Sequence, residues 1–400
     1  MPLVSGPLVS VVIINWNYAR YVADAIRSVK DQSYRNFECL VIDNDSSDGS
    51  AESISASIDG HPLFTSYRLP KNLGQLGAAL WALDHLRGEF VTYLDADDVL
   101  FPEYLVTHLQ VHLSAIFSTG FTSSNCLDVN TDGALITGGN WWAYSAWREG
   151  SAGLRPMEHA VRLGSFDPYR YAALANATHH LPWNKRGWLW CPGSSNMFNR
   201  ALLMRVRPKQ ASPELFSSVD GFYLPILHAI TGSNLISLAL SAYRIHGRNR
   251  FSRLPSITGV YTGSPEAKRR DAAERRFALV SLIDGFEDLP LAPERFWQVL
   301  DIVSSTSPIR NPFEHFEIRA AFARRYTTLT QSFGERDVLS ELRRRMKFVD
   351  CLSTALPACN GVLRFMTIIS RMASLETRQK VRLTFKKIVA LFSQPRAPNA

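Results

Sequence analysis

A chain of 400 residues, 46% hydrophobic and 20% charged, is long enough for one large α/β domain with an appendage or for two domains. Its formal net charge of +8 favours anionic partners such as a nucleotide diphosphate, an acidic glycan or an anionic membrane surface, and no basic run is interleaved with stacking aromatics as nucleic-acid binding would ask. Five cysteines (Cys39, Cys126, Cys191, Cys351 and Cys359), with no Cys-x-x-Cys pair, speak against a zinc ribbon or a disulfide framework and for a reducing, cytoplasmic compartment, and residues 1–7 do not read as a signal peptide.

In chain order, the β-branched apolar run from Leu8 to Ile14 predicts a first strand. Tyr21 to Val29 has helical periodicity, with Val22, Ile26 and Val29 on one face. A second strand follows from Phe37 to Ile42, a helix from Ser50 to Ile58, a third strand from Phe64 to Leu69, a helix from Leu73 to Leu86 and a fourth strand from Phe90 to Leu94. Strands alternating with helices of this size imply βαβ units and a mostly parallel, doubly wound sheet. From about Gly120 to Gly193 the pattern breaks down, in a stretch rich in Gly, Ser and Asn that holds Trp141, Trp142, Trp147, Trp183, Trp188 and Trp190. Regular order returns as a helix from Asn199 to Val206, a helix from Gly221 to Ile230 and a strand from Leu235 to Tyr243. Phe222 to Tyr243 is the most apolar window, but Pro225, His228, Gly232, Ser233 and Asn234 interrupt it, so it reads as helix, turn and strand rather than a membrane span. Residues 265–395 read as Arg-rich helices.

Ligands of open α/β sheets sit at the carboxyl ends of the strands. Asn15 and Asn17 follow strand one, Asp43-Asn44-Asp45 strand two and Asp95-Ala96-Asp97-Asp98 strand four, which suggests one shared crevice. Carboxylates this close repel unless a cation joins them, and hard oxygen ligands suit Mg²⁺ or Mn²⁺ with substrate phosphates completing the shell. The alternative is a solvated turn with Asp98 capping a helix that begins near Pro102. The same residues fit the nucleophile motif of haloacid-dehalogenase-like phosphatases, but that motif ends a first strand, and here two or three βα units precede it. Asp43 to Gly49 is a poor EF-hand loop, because its glycine falls one place late and no glutamate closes it.

These pieces resemble, in order, a family-2 glycosyltransferase with the GT-A fold. Val9 to Tyr18 is similar to the family's opening strand and turn. Ala25-Ile26-Arg27-Ser28-Val29-Lys30-Asp31-Gln32 resembles its first helix, and Phe37 to Ser50 its second strand and acidic loop. Asn72-Leu73-Gly74 with Ala78 resembles its third helix start, and Asp95 to Asp98 sits where the family keeps its D-x-D. Downstream, Cys191 to Arg200, Asp220 to Leu224 and Tyr243 to Asn249 resemble its later segments. Two departures stand out: Asn15-Trp16 where a Thr or Pro is usual, and Val219-Asp220 where two adjacent acids are frequent. The resemblance covers about residues 8 to 250. It implies a GT-A domain over 1–250, with a nucleotide-binding half (1–115) and an acceptor-binding half (116–250), and a helical C-terminal region over 251–400.

The resemblance further implies an inverting transfer from a nucleotide diphosphate sugar, with UDP as the expected nucleotide, to a glycan, lipid-linked or glycoconjugate acceptor in polysaccharide or glycoconjugate biosynthesis. Asp43 would accept a hydrogen bond from the nucleobase, and Asn15, Asn17 and Asn72 would line the nucleoside pocket. Asp95 would face the ribose or sugar. Asp97, with His246, would hold a divalent metal, and Asp220 would be the general base. Arg244 and Arg248 would contact phosphates. The tryptophans, Trp188 and Trp190 among them, offer rings that match the apolar face of a pyranose. For each of these residues a structural role is the alternative: turn, cap, ion pair or core filler. The amphipathic, basic stretch from Val381 to Phe392, with Lys268-Arg269-Arg270 and Arg343-Arg344-Arg345, suits peripheral docking at the inner face of an anionic membrane, or plain packing on the body. A non-catalytic glycan-binding or scaffold protein on the same fold is the competing reading. A sugar nucleotidyltransferase would need a Gly-rich basic loop after strand one, which Asn15 to Arg20 is not.

Overall fold

The structure, a computed structural model, describes residues 6–137, 168–209, 218–247, 249, 265–289, 291–306 and 311–355. Trp141, Trp142, Trp147, Arg248 and the stretch 381–392 lie outside the described residues. The chain divides into two compact units, one of residues 1–290 with 298–308 and one of residues 291–297 with 309–400.

The first unit opens with β1 (Val9–Asn15), α1 (Val22–Lys30), β2 (Phe37–Asp43), α2 (Ser50–Ile58), β3 (Phe64–Arg68), α3 (Gly74–Leu83) and β4 (Phe90–Asp95). Both β1 and β2 are buried along their whole length, as expected of parallel strands covered on both faces. In α1, Val22, Ala25, Ile26 and Val29 are buried, while Arg27 and Lys30 face outward near its C-terminus, where positive charge suits the helix dipole. After β5 (Val99–Leu100) and α4 (Tyr104–Ser114) come β6 (Phe121–Val129), β7 (Leu135–Thr137), α5 (Pro168–Ala177), β8 (Thr178–Leu181), β9 (Asn196–Asn199), α6 (Arg200–Val206), α7 (Val219–Thr231), β10 (Ser233–Arg244) and α8 (Pro265–Asp284).

The ten strands form one sheet in the order β3-β2-β1-β4-β9-β6-β10-β5, with β7 on β6 and β8 on β10. β3, β2, β1 and β4 run parallel, and β9 pairs antiparallel with both β4 and β6. β6 and β10 are again parallel. This is the expected mostly parallel α/β sheet flanked by helices.

Three expectations change. β4 ends at Asp95 rather than Leu94, so the first acid of the cluster still belongs to the strand. The helix expected near Pro102 starts at Tyr104 with Glu103 before it, so Asp98 does not cap it. The stretch after Gly120, which showed no regular pattern, holds the nine-residue strand β6. Its buried side chains include Thr122, Ser123, Ser124 and Asn125, satisfied internally: Thr122 Oγ1 lies 2.7 Å from His108 Nδ1, and Ser123 Oγ accepts from the Cys191 amide at 3.2 Å. A strand with a polar buried face carries no hydrophobic period to detect.

α7 holds Pro225 inside the helix. Proline has no N–H for the carbonyl four residues earlier, that of Gly221. Arg275 of α8 fills the gap: its Nη1 donates to the Gly221 oxygen at 2.5 Å.

The second unit contains the start of α9 (Pro293–Ser305), then α10 (Phe316–Phe333), α11 (Glu335–Arg345) and α12 (Phe348–Ala355). Trp297 stacks on Phe322, and the buried Arg345 guanidinium lies 4.9 Å from the Trp297 ring while donating to the Trp297 carbonyl. Arg345 is therefore not part of a basic surface, and Arg344 pairs with Glu341 at 3.1 Å. No helix among the described residues is long and apolar enough to cross a membrane.

Candidate active site

Strand register assembles the site. Asn15 pairs with Asp43 across β1 and β2, and Ile14 pairs with Asp95 across β1 and β4. Parallel strands that end together put their following polar residues on one rim.

Asp43 is 3% exposed. Its Oδ1 accepts from the Ser46 amide at 3.1 Å, whereas Oδ2 has no hydrogen-bond donor and lies 3.7 Å from Arg68 Nε. Asn15, also buried, donates to Ser46 Oγ at 3.1 Å and leaves Oδ1 without a donor. Unmet acceptors of this kind suit the N–H edge of a nucleobase. Asn17 adopts φ 58°, and its Oδ1 accepts from the Ser47 amide at 2.8 Å, which ties the loop after β1 to the loop after β2. Asn72 turns inward on the fold: its Oδ1 accepts from Asn44 Nδ2 at 3.0 Å and from the Gly74 amide at 2.8 Å, organising the start of α3. Gly74 has φ +73°, a conformation that accounts for glycine there.

Asp95, Asp97 and Asp98 each offer a carboxylate oxygen within 4.8 Å of the others. Asp98 is 2% exposed; its Oδ1 accepts from the Arg244 amide at 2.9 Å and its Oδ2 from Ser194 Oγ at 2.7 Å. Burial, with Asp97 and Asp95 beside it, pushes its carboxyl well above the usual carboxylate range despite those two bonds. Ser194 Oγ also accepts from the Asp95 amide at 3.1 Å. Asp97 Oδ2 meets His246 Nε2 at 2.8 Å. An all-oxygen cluster with one imidazole at its edge fits a hard divalent cation, and such a cation would relieve the crowding of charge.

Arg244 is not a free phosphate contact. It is 5% exposed, and its guanidinium donates to the Asp97 carbonyl at 2.8 Å, the Thr131 carbonyl at 3.0 Å and Asp24 at 3.3 Å. It serves as a brace beneath the acidic turn.

Asp220 sits in the first turn of α7, 8% exposed. The helix cap is Ser218, whose Oγ accepts from the Gly221 amide at 3.0 Å, so Asp220 is not the cap; its Oδ1 accepts from the same amide at 2.8 Å. Glu274 Oε1 accepts from the Ser218 amide at 3.1 Å. Gln75 of α3, which sequence reasoning passed over, reaches both sides of the site: its amide nitrogen donates to Asp95 Oδ1, and its Oε1 accepts from the Val219 amide at 3.1 Å. The only hint in the sequence was its place directly after Asn72-Leu73-Gly74.

Of the described tryptophans, Trp188 and Trp190 part ways. Trp190 is 1% exposed, donates to Ser233 Oγ at 2.9 Å and packs on Phe121 and His228, so it is a core residue with no ring face free for a sugar. Trp188 is 44% exposed, with the Arg275 guanidinium 5.4 Å from its ring.

Comparison with known proteins agrees with this geometry. Residues 10–133 match the family model described as Glycosyl transferase family 2. An uncharacterised glycosyltransferase of Nostoc sp. is 37% identical over 260 residues, covering 65% of this chain and 71% of the relative. A UDP-Glc:alpha-D-GlcNAc-diphosphoundecaprenol beta-1,3-glucosyltransferase of Escherichia coli is 29% identical over 115 residues, 29% of this chain and 43% of that protein. The crystal structure of S. aureus TarS 1-349 superimposes with a TM-score of 0.45 at 15% identity, covering 95% of this chain and 91% of that one, a likeness too loose to bear on function. With the Nostoc relative aligned over most of its length and the family's segments standing in order around one acidic rim, the chain belongs to glycosyltransferase family 2.

Proposed function

We propose that this glycosyltransferase moves a sugar from a UDP-sugar to a hydroxyl of a glycan or lipid-linked acceptor by single displacement with inversion. The observation that carries this reading is the shared rim of Asp43, with one buried carboxylate oxygen lacking a donor, and the carboxylates of Asp95, Asp97 and Asp98 within 4.8 Å of each other. A nucleobase on Asp43 and a diphosphate near Asp97 are the two ends of one nucleoside diphosphate, which leaves the sugar to lie beyond the acidic cluster. The activity for which the E. coli relative is named supports a UDP donor and a diphosphoundecaprenol-linked acceptor as the first candidates.

Asp97, with His246 against it, and Asp95 are the residues that would hold Mn²⁺ or Mg²⁺. When bound, that ion supplies Lewis-acid compensation for charge growing on the leaving diphosphate. Asp95 orients the sugar side of the donor. Asp220 accepts the proton of the acceptor hydroxyl as that oxygen attacks the anomeric carbon; a general base of this kind contributes roughly 10²–10⁴-fold. Trp188 offers an exposed ring to an acceptor sugar. A lipid-linked acceptor gives the basic C-terminal stretch, residues 381–392, an anionic membrane face to dock on.

The test is calorimetric binding and turnover of a nucleotide-sugar panel with Mn²⁺ or Mg²⁺, read by nucleoside diphosphate release. Binding of UDP-sugars with metal is expected, and the absence of any donor binding sinks the reading. Asp220→Asn is expected to lower turnover within the range above while leaving donor affinity within about threefold; unchanged turnover removes Asp220 as the base. Co-sedimentation with phosphatidylglycerol vesicles, lost when residues 381–392 are deleted, checks the docking.

A further inference from the structure

We propose that Gln75 is a positioning residue that fixes the donor-side carboxylate and the base-bearing helix to one another. It rests on the reading of Asp95 and Asp220 given above. α3 is itself anchored at its start, because Asn44 Oδ1 accepts from the Leu73 amide at 2.9 Å and Asn72 Oδ1 from the Gly74 amide at 2.8 Å. From that anchored turn Gln75 extends its amide between two partners far apart in sequence. One end donates to Asp95 Oδ1 in the acidic cluster; the other accepts the N–H of Val219 at 3.1 Å, one residue before Asp220.

A primary amide suits both ends. Asp95 as a carboxylate accepts and does not donate, so it needs an N–H; the Val219 N–H donates and needs a carbonyl oxygen. Glutamine supplies one of each on a side chain of the right reach. Glutamate keeps the acceptor but sets a second carboxylate against Asp95. Methionine fills the volume and offers neither bond. Reactions of this kind depend on sub-ångström alignment of base, acceptor oxygen and donor carbon, so a bridge between the elements that carry the two sides acts on turnover more than on binding.

The experiment compares Gln75→Glu, Gln75→Met and Asp220→Asn in the full chain. Hydrolysis of UDP-glucose and UDP-N-acetylglucosamine with Mn²⁺ is read by UDP release, and hydrogen exchange is read at the first turn of α7 without any ligand. Gln75→Met is expected to speed local exchange around Val219 about tenfold and to lower kcat at least tenfold, with KM within about threefold. Gln75→Glu is expected to keep the slow exchange yet lose kcat to a similar extent, because only its Asp95 side is spoiled. A purely structural cap predicts the reverse for Gln75→Glu, namely wild-type kcat, and that result overturns the proposal. Unchanged exchange in Gln75→Met overturns it as well, whether or not either donor turns over. If Asp220→Asn leaves kcat unchanged while Gln75→Glu lowers it, the general-base reading has failed and the bridge to Asp95 stands.

Discussion

His246 and Asp97, 149 positions apart, meet side chain to side chain, Nε2 to Oδ2 at 2.8 Å. The imidazole is held by Tyr21, stacked at 5.3 Å, and by Tyr18, edge-on at 5.4 Å, while its backbone N–H donates to Asn249 Oδ1. Under the proposed metal assignment, an imidazole held this way would either ligate the ion or set the Asp97 carboxylate for it. Asp97→Ala is expected to abolish metal-dependent turnover, a loss of several kcal/mol in barrier or roughly 10²–10³-fold in rate. His246→Ala is expected to weaken Mn²⁺ binding by about 10–100-fold. Calorimetric titration with Mn²⁺ checks both, and Asp97→Ala with intact metal dependence would falsify the assignment.

Arg275 and Pro225 should be energetically coupled. The guanidinium satisfies the Gly221 carbonyl that the proline leaves open, and burial holds the Arg275 pKa below its ordinary value even with Glu274, Asp271 and Asp220 nearby. Arg275→Met is expected to cost about 1–3 kcal/mol of stability, since it orphans a buried carbonyl. In a Pro225→Ala background the new N–H reaches Gly221 within the helix, so the same substitution should cost at least about 1 kcal/mol less. Urea denaturation of the four proteins closes the cycle, and additive costs would show that the guanidinium is not standing in for the missing N–H.

Glu38 on β2 makes stability fall in acid. Burial opposes its charge, but hydrogen bonds from the Arg87 amide and Ser10 Oγ, both at 2.7 Å, and the Arg87 guanidinium at 2.8 Å outweigh it and hold the carboxyl below its ordinary value of 4.5. A depressed carboxylate contributes stability that is fully present above about pH 4.5 and is lost as pH falls through the lower folded value. Glu38→Gln should lower stability at pH 7 by about 1–3 kcal/mol and flatten the acid limb. Denaturant midpoints from pH 7 to pH 3 measure this, and parallel curves for the two proteins would exclude Glu38 as the source.

Trp190 and Trp188, two residues apart, should respond oppositely. Trp190→Ala empties a fully packed site and is expected to cost about 3–5 kcal/mol. Trp188→Ala removes a half-exposed ring and should change stability by less than about 1 kcal/mol. Thermal melts separate the two, and equal losses in both would contradict the burial difference.

The sequence by itself determined the parallel half of the sheet. Apolar runs of similar length separated by amphipathic helices leave little choice of strand or face, because each run must be buried on both sides. Their ends carry Asn15, Asp43 and Asp95, so the rim was legible from chain order alone. Asp97 and His246 were paired beforehand only as what the family resemblance implies; their direct side-chain contact was not legible. Only the tertiary structure decided which polar residues are braces. Arg244, Trp190 and the side-chain oxygen of Asn72 are taken up by the fold, β6 hides its strand character behind buried hydroxyls, and Gln75 accepts from a backbone amide 144 residues away. Hydrogen bonds between distant elements leave no periodicity in the chain. A side chain's partners depend on what packing brings within about 3 Å, and local sequence does not encode that.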